Sequence, residues 1–392
     1  VSVVAERLSA IRQEYPVFEK TAYMNTGTAG PLARRTGQAI LQQVERQVTL
    51  GRSNFKVFME EYFPLLDDLR GRFARVLGAG SDEIALTHHT TEGMNIAIWG
   101  LNWQAGDEIL TTTDEHEGAF LPMYAAARRF GLTPRFVDVG TDAALMAERV
   151  ANALTRRTRL LVISHVMWKT GAVVPLADVA RVAHQAGALV AVDGAQSGGA
   201  IPIDVGALGV DFYAIPGQKW LCGPEGMGAL FVRRDRVSEL SPTFVGFFSV
   251  RDFQAIDLSG YFIPAPGARR YEGGSVYWPA LYGMRESLRH LEDTVGYETV
   301  YSQTARMTAR ARQILAEVPG LTIHSPAGHA GLTSLTVEGL EPAATALALA
   351  DLGVTVRSVR EPDYLRVSTG FYNDESDLIR LRDGLIQLRE KK

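Results

Sequence analysis

The sequence predicts an α/β fold: a large domain on a seven-stranded, mostly parallel sheet, followed by a smaller α+β C-terminal domain. Three observations predict it. At 392 residues the chain exceeds the roughly 250 residues at which a single hydrophobic core stops growing, so two domains of unequal size are expected. Between residues 84 and 234, short apolar runs alternate with amphipathic stretches, the pattern of parallel strands joined by crossover helices. Beyond residue 274 that alternation gives way to long amphipathic helices and then to short strands.

Taken in order, residues 1–20 read as an N-terminal arm packing on the small domain, 21–274 as the large domain and 275–392 as the small one. The strand candidates of the large sheet are 83–87, 108–112, 133–139, 159–165, 189–193, 211–215 and 229–233. Helices are expected over 118–130, 145–154 and 176–186, where apolar residues recur at spacings of three and four. Segment 249–274, rich in Gly, Pro and aromatic residues, marks the domain boundary. After it come helices over 277–291 and 297–317, strands over 332–337, 354–359 and 364–368, and a closing helix over 375–389. No internal repeat or low-complexity tract interrupts the pattern.

A composition of 46% hydrophobic and 21% charged residues is that of an ordinary globular protein with an extensive core, which argues against disorder. A net charge of -4 offers no attraction to nucleic acid or to an anionic membrane, so a small-molecule partner is expected. One cysteine, Cys222, excludes an internal disulfide and any multi-cysteine metal site, and it suits a reducing compartment. The N-terminal residues mix charges with apolar side chains and lack the apolar core of a secretory signal, and no apolar run approaches the ~18 residues of a membrane span. A cytoplasmic location is expected. Of 40 basic residues only six are lysine: Lys20, Lys56, Lys169, Lys219, Lys391 and Lys392. A lysine inside an apolar, glycine-rich region is therefore informative.

Ligands of open parallel sheets bind beyond the carboxyl ends of the strands, where loops and helix N-termini converge. Four expected strand ends run into polar clusters: His89-Thr90-Thr91-Glu92-Gly93, Asp114-Glu115-His116, Asp193-Gly-Ala-Gln196 and Gly217-Gln218-Lys219. A lone strand-end aspartate is usually structural; four clusters on one sheet edge point to a site. Together they meet the needs of pyridoxal 5'-phosphate: an amine for the aldehyde, a carboxylate for the pyridine nitrogen, a flat partner for the ring, and hydroxyls with free amides at a helix start for the phosphate. Asp193 suits the ring nitrogen and Gln196 the phenolic oxygen. Thr90 and Thr91 suit the phosphate. His116 suits the ring face and can move protons, although a hydrogen-bonded loop histidine is the plainer reading. The amine follows by elimination. Lys20 is near the N-terminus, Lys56 is far from any strand end, and Lys391 and Lys392 close the tail. Of Lys169 and Lys219, the latter precedes Trp220 and the turn Cys222-Gly-Pro-Glu-Gly-Met-Gly228, which lets backbone approach a ligand closely. No metal is expected, because HEGAF places Phe120 where the second histidine of a zinc motif would stand. A dinucleotide fingerprint is excluded as well, since the glycines precede a strand instead of following one.

At these residues the chain resembles the class V aminotransferase family of pyridoxal phosphate enzymes, of fold type I. The likeness is carried by YMNTGTAGPL near the N-terminus, HTTEGMN at 89–95, Glu115-His116, AVDGAQSGG at 191–199 and QKWLCGPEGMGALFV from 218. WGLNWQAGDEIL, TRLLVISHVMWKTGAVVPLADV and PTFVGFFSV look most like the cysteine/cystine C-S lyases, with isopenicillin N epimerase-like proteins also similar. The resemblance implies a Schiff base on Lys219, supported by Asp193, Gln196, His116 and Thr91, with Gln218 among the cofactor contacts. It implies a homodimer with sites at the interface, where Ser275 of EGGS reaches the other subunit's phosphate. It assigns the substrate to Thr26 and Gly27, to Arg366 for the α-carboxylate, and to Arg357 beside it for a second carboxylate. Three departures stand out. Residues 275–392 lack the cysteine a desulfurase uses, Pro216 and Gln218 replace the usual hydroxyl residue and histidine, and Lys169 replaces an asparagine near the substrate, where it can bind an acidic group or act as a second base. Cys222 reads as a small buried residue. The expected reaction is β-elimination from cysteine, cystine or a cysteine conjugate through an external aldimine and a quinonoid. The alternatives are amino acid epimerisation or racemisation, transamination, and a non-catalytic binding protein of the same fold.

Overall fold

The computed structural model describes residues 3–391 apart from 53, 253–255, 257 and 329; Lys392, set aside above as a tail lysine, lies outside them. Strands β1 (Ile84–Thr87), β2 (Glu108–Thr112), β3 (Thr133–Val137), β4 (Thr158–Ser164), β5 (Leu189–Asp193), β6 (Phe212–Pro216) and β7 (Gly228–Val232) form one seven-stranded sheet in the order β1-β7-β6-β5-β4-β2-β3. The run from β6 to β3 is parallel, and β7 is antiparallel to both its neighbours. Two successive reversals leave β1 pointing the same way as β6, so the carboxyl ends of β1, β2, β4, β5 and β6 share one edge.

Aliphatic runs such as TRLLVIS in β4 are buried almost throughout because helices cover both faces of the sheet. Alternation along the strands sends Leu161, Ile163, Val190 and Val192 into one core, and Leu160, Val162 and Ala191 into another. The helix Trp278–Arg289 buries Ala280, Leu281, Met284 and Leu288 in the first of these cores.

A second sheet has four antiparallel strands, β8 (Leu321–Ile323), β9 (Leu332–Val337), β10 (Arg357–Val359) and β11 (Tyr364–Ser368), in the order β10-β11-β9-β8. Helices Tyr297–Leu315, Pro342–Asp351 and Glu375–Glu390 pack on it around Met307, Leu335, Leu349, Val367 and Leu381. The single strand expected over 354–359 is two. Val354–Thr355 pairs in parallel with Ala22–Tyr23, while Arg357–Val359 pairs with β11. The cause is the N-terminal segment: Met24 N donates to Thr355 O at 2.8 Å and Ser368 N donates to Met24 O at 2.8 Å, so sheet membership changes at Val356. β8 was also not foreseen, at three residues being too short to show a period.

The helix Val3–Gln13 sends Arg12 to both carboxylate oxygens of Asp377 at 2.8 Å and to Tyr372 O at 2.9 Å. Arg7 donates to Val295 O at 2.8 Å. Among the described residues, no helix is long and apolar enough to cross a membrane, and no group of three metal-ligating side chains comes together.

Candidate active site

A cavity of about 400 Å³ opens at the shared strand edge, and every expected cluster contributes to it. β6 ends at Pro216, and the chain turns back into β7 through a compact loop in which Gly217 N donates to Met227 O at 2.7 Å and Cys222 N donates to Lys219 O at 3.0 Å. A Cβ on Gly217 would lie 2.5 Å from Met284 Sδ and 3.0 Å from Met227 O, so a larger residue would push the Met284 side chain aside and crowd the loop's own backbone. Gly30 N donates to Gln218 O at 2.7 Å, and a Cβ on Gly30 would meet Lys219 O at 2.0 Å; the N-terminal TAG segment is thereby pressed against the lysine loop. The Lys219 amine is brought down to about 8 by burial, opposed by Asp193 and assisted by Arg366 and Arg357. A reactive free amine is thus available near neutral pH.

Asp193 closes β5, is 5% exposed, and accepts one hydrogen bond, from Ala195 N to Oδ1 at 2.8 Å. Gln196 is locked by donating from Nε2 to Gly27 O at 2.8 Å and accepting from Trp220 Nε1 at 3.0 Å, which leaves one amide hydrogen for a ligand. Thr90 and Thr91 open the helix Thr90–Trp99, capped by His89, whose Nδ1 accepts from Glu92 N at 3.1 Å. Thr90 Oγ1 is buried without a hydrogen-bond partner at the helix start, and a hydroxyl donor in that place fits a phosphate; Gln218 Oε1 is likewise buried and unpartnered, an acceptor that leaves the side chain's NH2 as the group able to donate to an anion.

His116 caps the helix Glu117–Phe130, its Nδ1 accepting from Gly118 N at 3.1 Å, so its proton resides on Nε2. Burial, and then the charge of Lys219, hold its pKa below the ordinary value. Trp168 meets the imidazole edge-on, ring centroids 5.2 Å apart, and lines the cavity beside it. Beneath lies Glu115, fully buried, accepting from Thr112 Oγ1 at 2.9 Å, Ser164 N at 2.9 Å and Ser164 Oγ at 2.5 Å; burial pushes its carboxyl up to about 7.

Arg357 and Arg366 face each other across the β10–β11 ladder. Like charges directly opposite are destabilising, and among the described residues neither guanidinium has a carboxylate partner. Both donate to Thr28 Oγ1, at 3.2 and 3.3 Å, and Arg366, 1% exposed, also donates to Trp168 O at 2.9 Å. Burial and Arg357 disfavour its charged form. Two converging arginines without a counter-ion suit carboxylates.

Of the residues singled out in the sequence, Gly27, Thr90, Thr91, His116, Asp193, Gln196, Gln218, Lys219, Arg357 and Arg366 line this cavity. Three do not. Thr26 lies beneath it, its hydroxyl 2.5 Å from Tyr372 Oη. Lys169 turns its ammonium to Asp114 and Glu361 O instead of to the substrate position expected for it. Ser275 is exposed and lines a separate depression with Gln47, Arg52 and Trp278. Thr28 and Trp168 were missed, although Thr28 stands in the same TGT stretch as two residues that were named.

The family model for aminotransferase class-V matches residues 23–381. Two solved structures of a lyase called C-DES superpose with a TM-score of 0.89: one, a mutant with glycine covalently linked to its PLP cofactor, is 31% identical and covers 96% of this chain and 98% of that one. The other, described as the cystine C-S lyase with its product cysteine persulfide, is 30% identical and covers 95% and 99%. A probable cysteine desulfurase of Mycobacterium leprae is 30% identical over 91% of this chain and 88% of its own. The isopenicillin N epimerase of Streptomyces clavuligerus is 29% identical over 92% and 93%.

Proposed function

The chain belongs to the class-V aminotransferase family, and from that premise we propose that it is a pyridoxal 5'-phosphate-dependent C-S lyase acting on cysteine, cystine or a cysteine conjugate. The observation that carries this reading is the meeting of Lys219, Asp193, the Thr90–Thr91 helix start and two arginines without acidic partners in one cavity.

Bound there, the cofactor supplies an electron sink, so that a proton can leave the substrate's α-carbon and a thiolate or persulfide its β-carbon, water then releasing pyruvate and ammonia. Lys219 carries the cofactor and, once released, moves the α-proton, for which an amine near pH 8 is suited. Asp193 keeps the ring nitrogen protonated, with Ala195 N fixing its orientation. Thr90, Thr91 and Gln218 hold the phosphate, Gln196 the phenolic oxygen, and His116 the ring face. Arg366 takes the α-carboxylate from the middle of a strand paired on both sides, Arg357 a second carboxylate, and Thr28 aligns both guanidiniums.

Elimination needs no protein thiol. Cys222 is buried with its thiol pushed up to about 12, and residues 275–392 contain no cysteine, which disfavours sulfur transfer through a protein persulfide. Epimerisation needs a base on the opposite face, and the residue expected to supply it, Lys169, is engaged elsewhere. Ser275, lying away from the cavity of its own chain, is proposed to serve the phosphate of a second subunit in a cytoplasmic homodimer.

The test is direct. One portion of purified protein loaded with pyridoxal phosphate is reduced with borohydride and mapped by peptide mass, and a second, unreduced portion is offered L-cystine with pyruvate and sulfane sulfur measured. The label belongs on Lys219, and Lys219→Ala abolishes both label and products; label on Lys169, or keto acid formed without sulfur release, refutes the assignment.

A further inference from the structure

Lys169 follows β4, one residue beyond Trp168, which lines the cavity. Its Nζ donates to Glu361 O at 2.7 Å and lies 3.4 Å from Asp114 Oδ1. Asp114 follows β2, and Glu361 lies in the exposed turn joining β10 to β11. One ammonium therefore ties two strand-end loops of the large sheet to the tip of a hairpin in the small sheet. The surrounding backbone forms the same seam: Trp168 O accepts from Arg366 Nη1 at 2.9 Å, and Lys169 O accepts from Ser334 Oγ.

The hairpin needs such a tie. β10 is a three-residue edge strand hydrogen-bonded on one side only, and it carries Arg357, whose guanidinium must stay beside that of Arg366 against their mutual repulsion. Lys169 and Asp114 are mostly withdrawn from water, with side chains 13% and 27% exposed, so their interaction is weakly screened. Burial raises the Asp114 carboxyl and Lys169 pulls it back, the signature of a pair that depends on its cation.

We propose that Lys169 is a positioning residue, a latch that fastens the β10–β11 hairpin across the seam between the two sheets and holds Arg357 over the cavity, tightening the grip on a substrate carboxylate without touching the substrate. Its effect on the substrate rests on the function proposed above; the latch itself does not. Lysine suits the task because three N–H donors can serve a carbonyl and a carboxylate at once, which arginine can imitate and methionine cannot.

The experiment combines hydrogen-deuterium exchange of the peptide covering 357–364, in cofactor-free and cofactor-loaded protein, with steady-state kinetics on L-cystine. Lys169→Met is expected to speed exchange in that peptide by about tenfold or more, the change that follows loss of a charge-assisted hydrogen bond, with other peptides of the small sheet unchanged. KM for cystine rises by about the same factor while kcat falls much less, the mark of weakened binding. Lys169→Arg restores most of the protection and of KM. Asp114→Asn, which keeps shape but removes the charge, loosens the same peptide by a smaller factor and supplies the reading should Lys169→Met fold poorly. Unchanged exchange in Lys169→Met and Asp114→Asn, or an arginine variant as loose as the methionine one, overturns the latch. If the parent protein does not act on cystine, the proposed activity fails while the exchange data still decide the latch.

Discussion

Replacing Arg366 by methionine separates what this residue does for binding from what it does for folding. Arg366 is buried, faces Arg357 across the ladder and has no carboxylate partner among the described residues. Its removal leaves one acceptor, Trp168 O, without its donor, since Thr28 Oγ1 keeps Arg357; an orphaned buried carbonyl costs about 1–3 kcal/mol. Against that, a buried cation carries a desolvation penalty of roughly several kcal/mol, which methionine, of similar length, does not. The two effects offset, so Tm is expected to stay within about 3 °C of the parent or to rise. Binding has no such compensation: removing one partner of a desolvated charge pair costs about 2–5 kcal/mol, so KM for a carboxylate substrate rises at least about thirtyfold. The assay is thermal denaturation at equal cofactor loading beside steady-state kinetics. A variant that loses ten degrees or so and keeps its KM would show Arg366 to be a structural cation and refute the reasoning.

Three further expectations rest on burial and charge. Because the native Lys219 amine titrates near 8 and an unfolded lysine near 10.5, the unfolded chain binds more protons between those values, and the cofactor-free protein gains stability as pH rises through that window. Cofactor uptake by that protein, followed by absorbance, should likewise accelerate with pH and level off above about 8, with the midpoint moving upward in Arg366→Met because a charge that lowers it is gone; a midpoint unmoved by that substitution would contradict the assignment. Cys222→Ala should keep cystine cleavage within about twofold, since a buried thiol with so high a pKa supplies no nucleophile, and intact-mass measurement during turnover should find no sulfur added to the chain.

The large sheet was legible because its strands are buried on both faces, which leaves apolar runs that end abruptly in polar residues. That abruptness also located Thr90, Asp193 and Lys219, whose positions depend on strand direction alone. What failed depends on distant chain. The break at Val356 is made by residues 22–25, more than three hundred positions away, and no local pattern encodes it. Lys169 was placed with the substrate because it replaces an asparagine that the family commonly carries there, yet its side chain is captured by the turn at Glu361, which joins two strands of the other sheet. Trp168 itself gave no warning, since an aromatic after a strand is usually core.

Charge explains why these parts belong together. The cavity gathers the cations Lys219, Arg357 and Arg366 against the single carboxylate of Asp193, with His116 held towards its neutral form. Such an excess of buried positive charge is costly without bound anions, and the two arginines add to the effect of burial, the larger cause, in lowering the Lys219 amine into the range where it reacts. The dianionic phosphate at the Thr90 helix start and a substrate carboxylate between the arginines would each relieve it. Affinity for anions and reactivity of the lysine are thus linked through the two arginines, and a substitution that neutralises either arginine weakens both together.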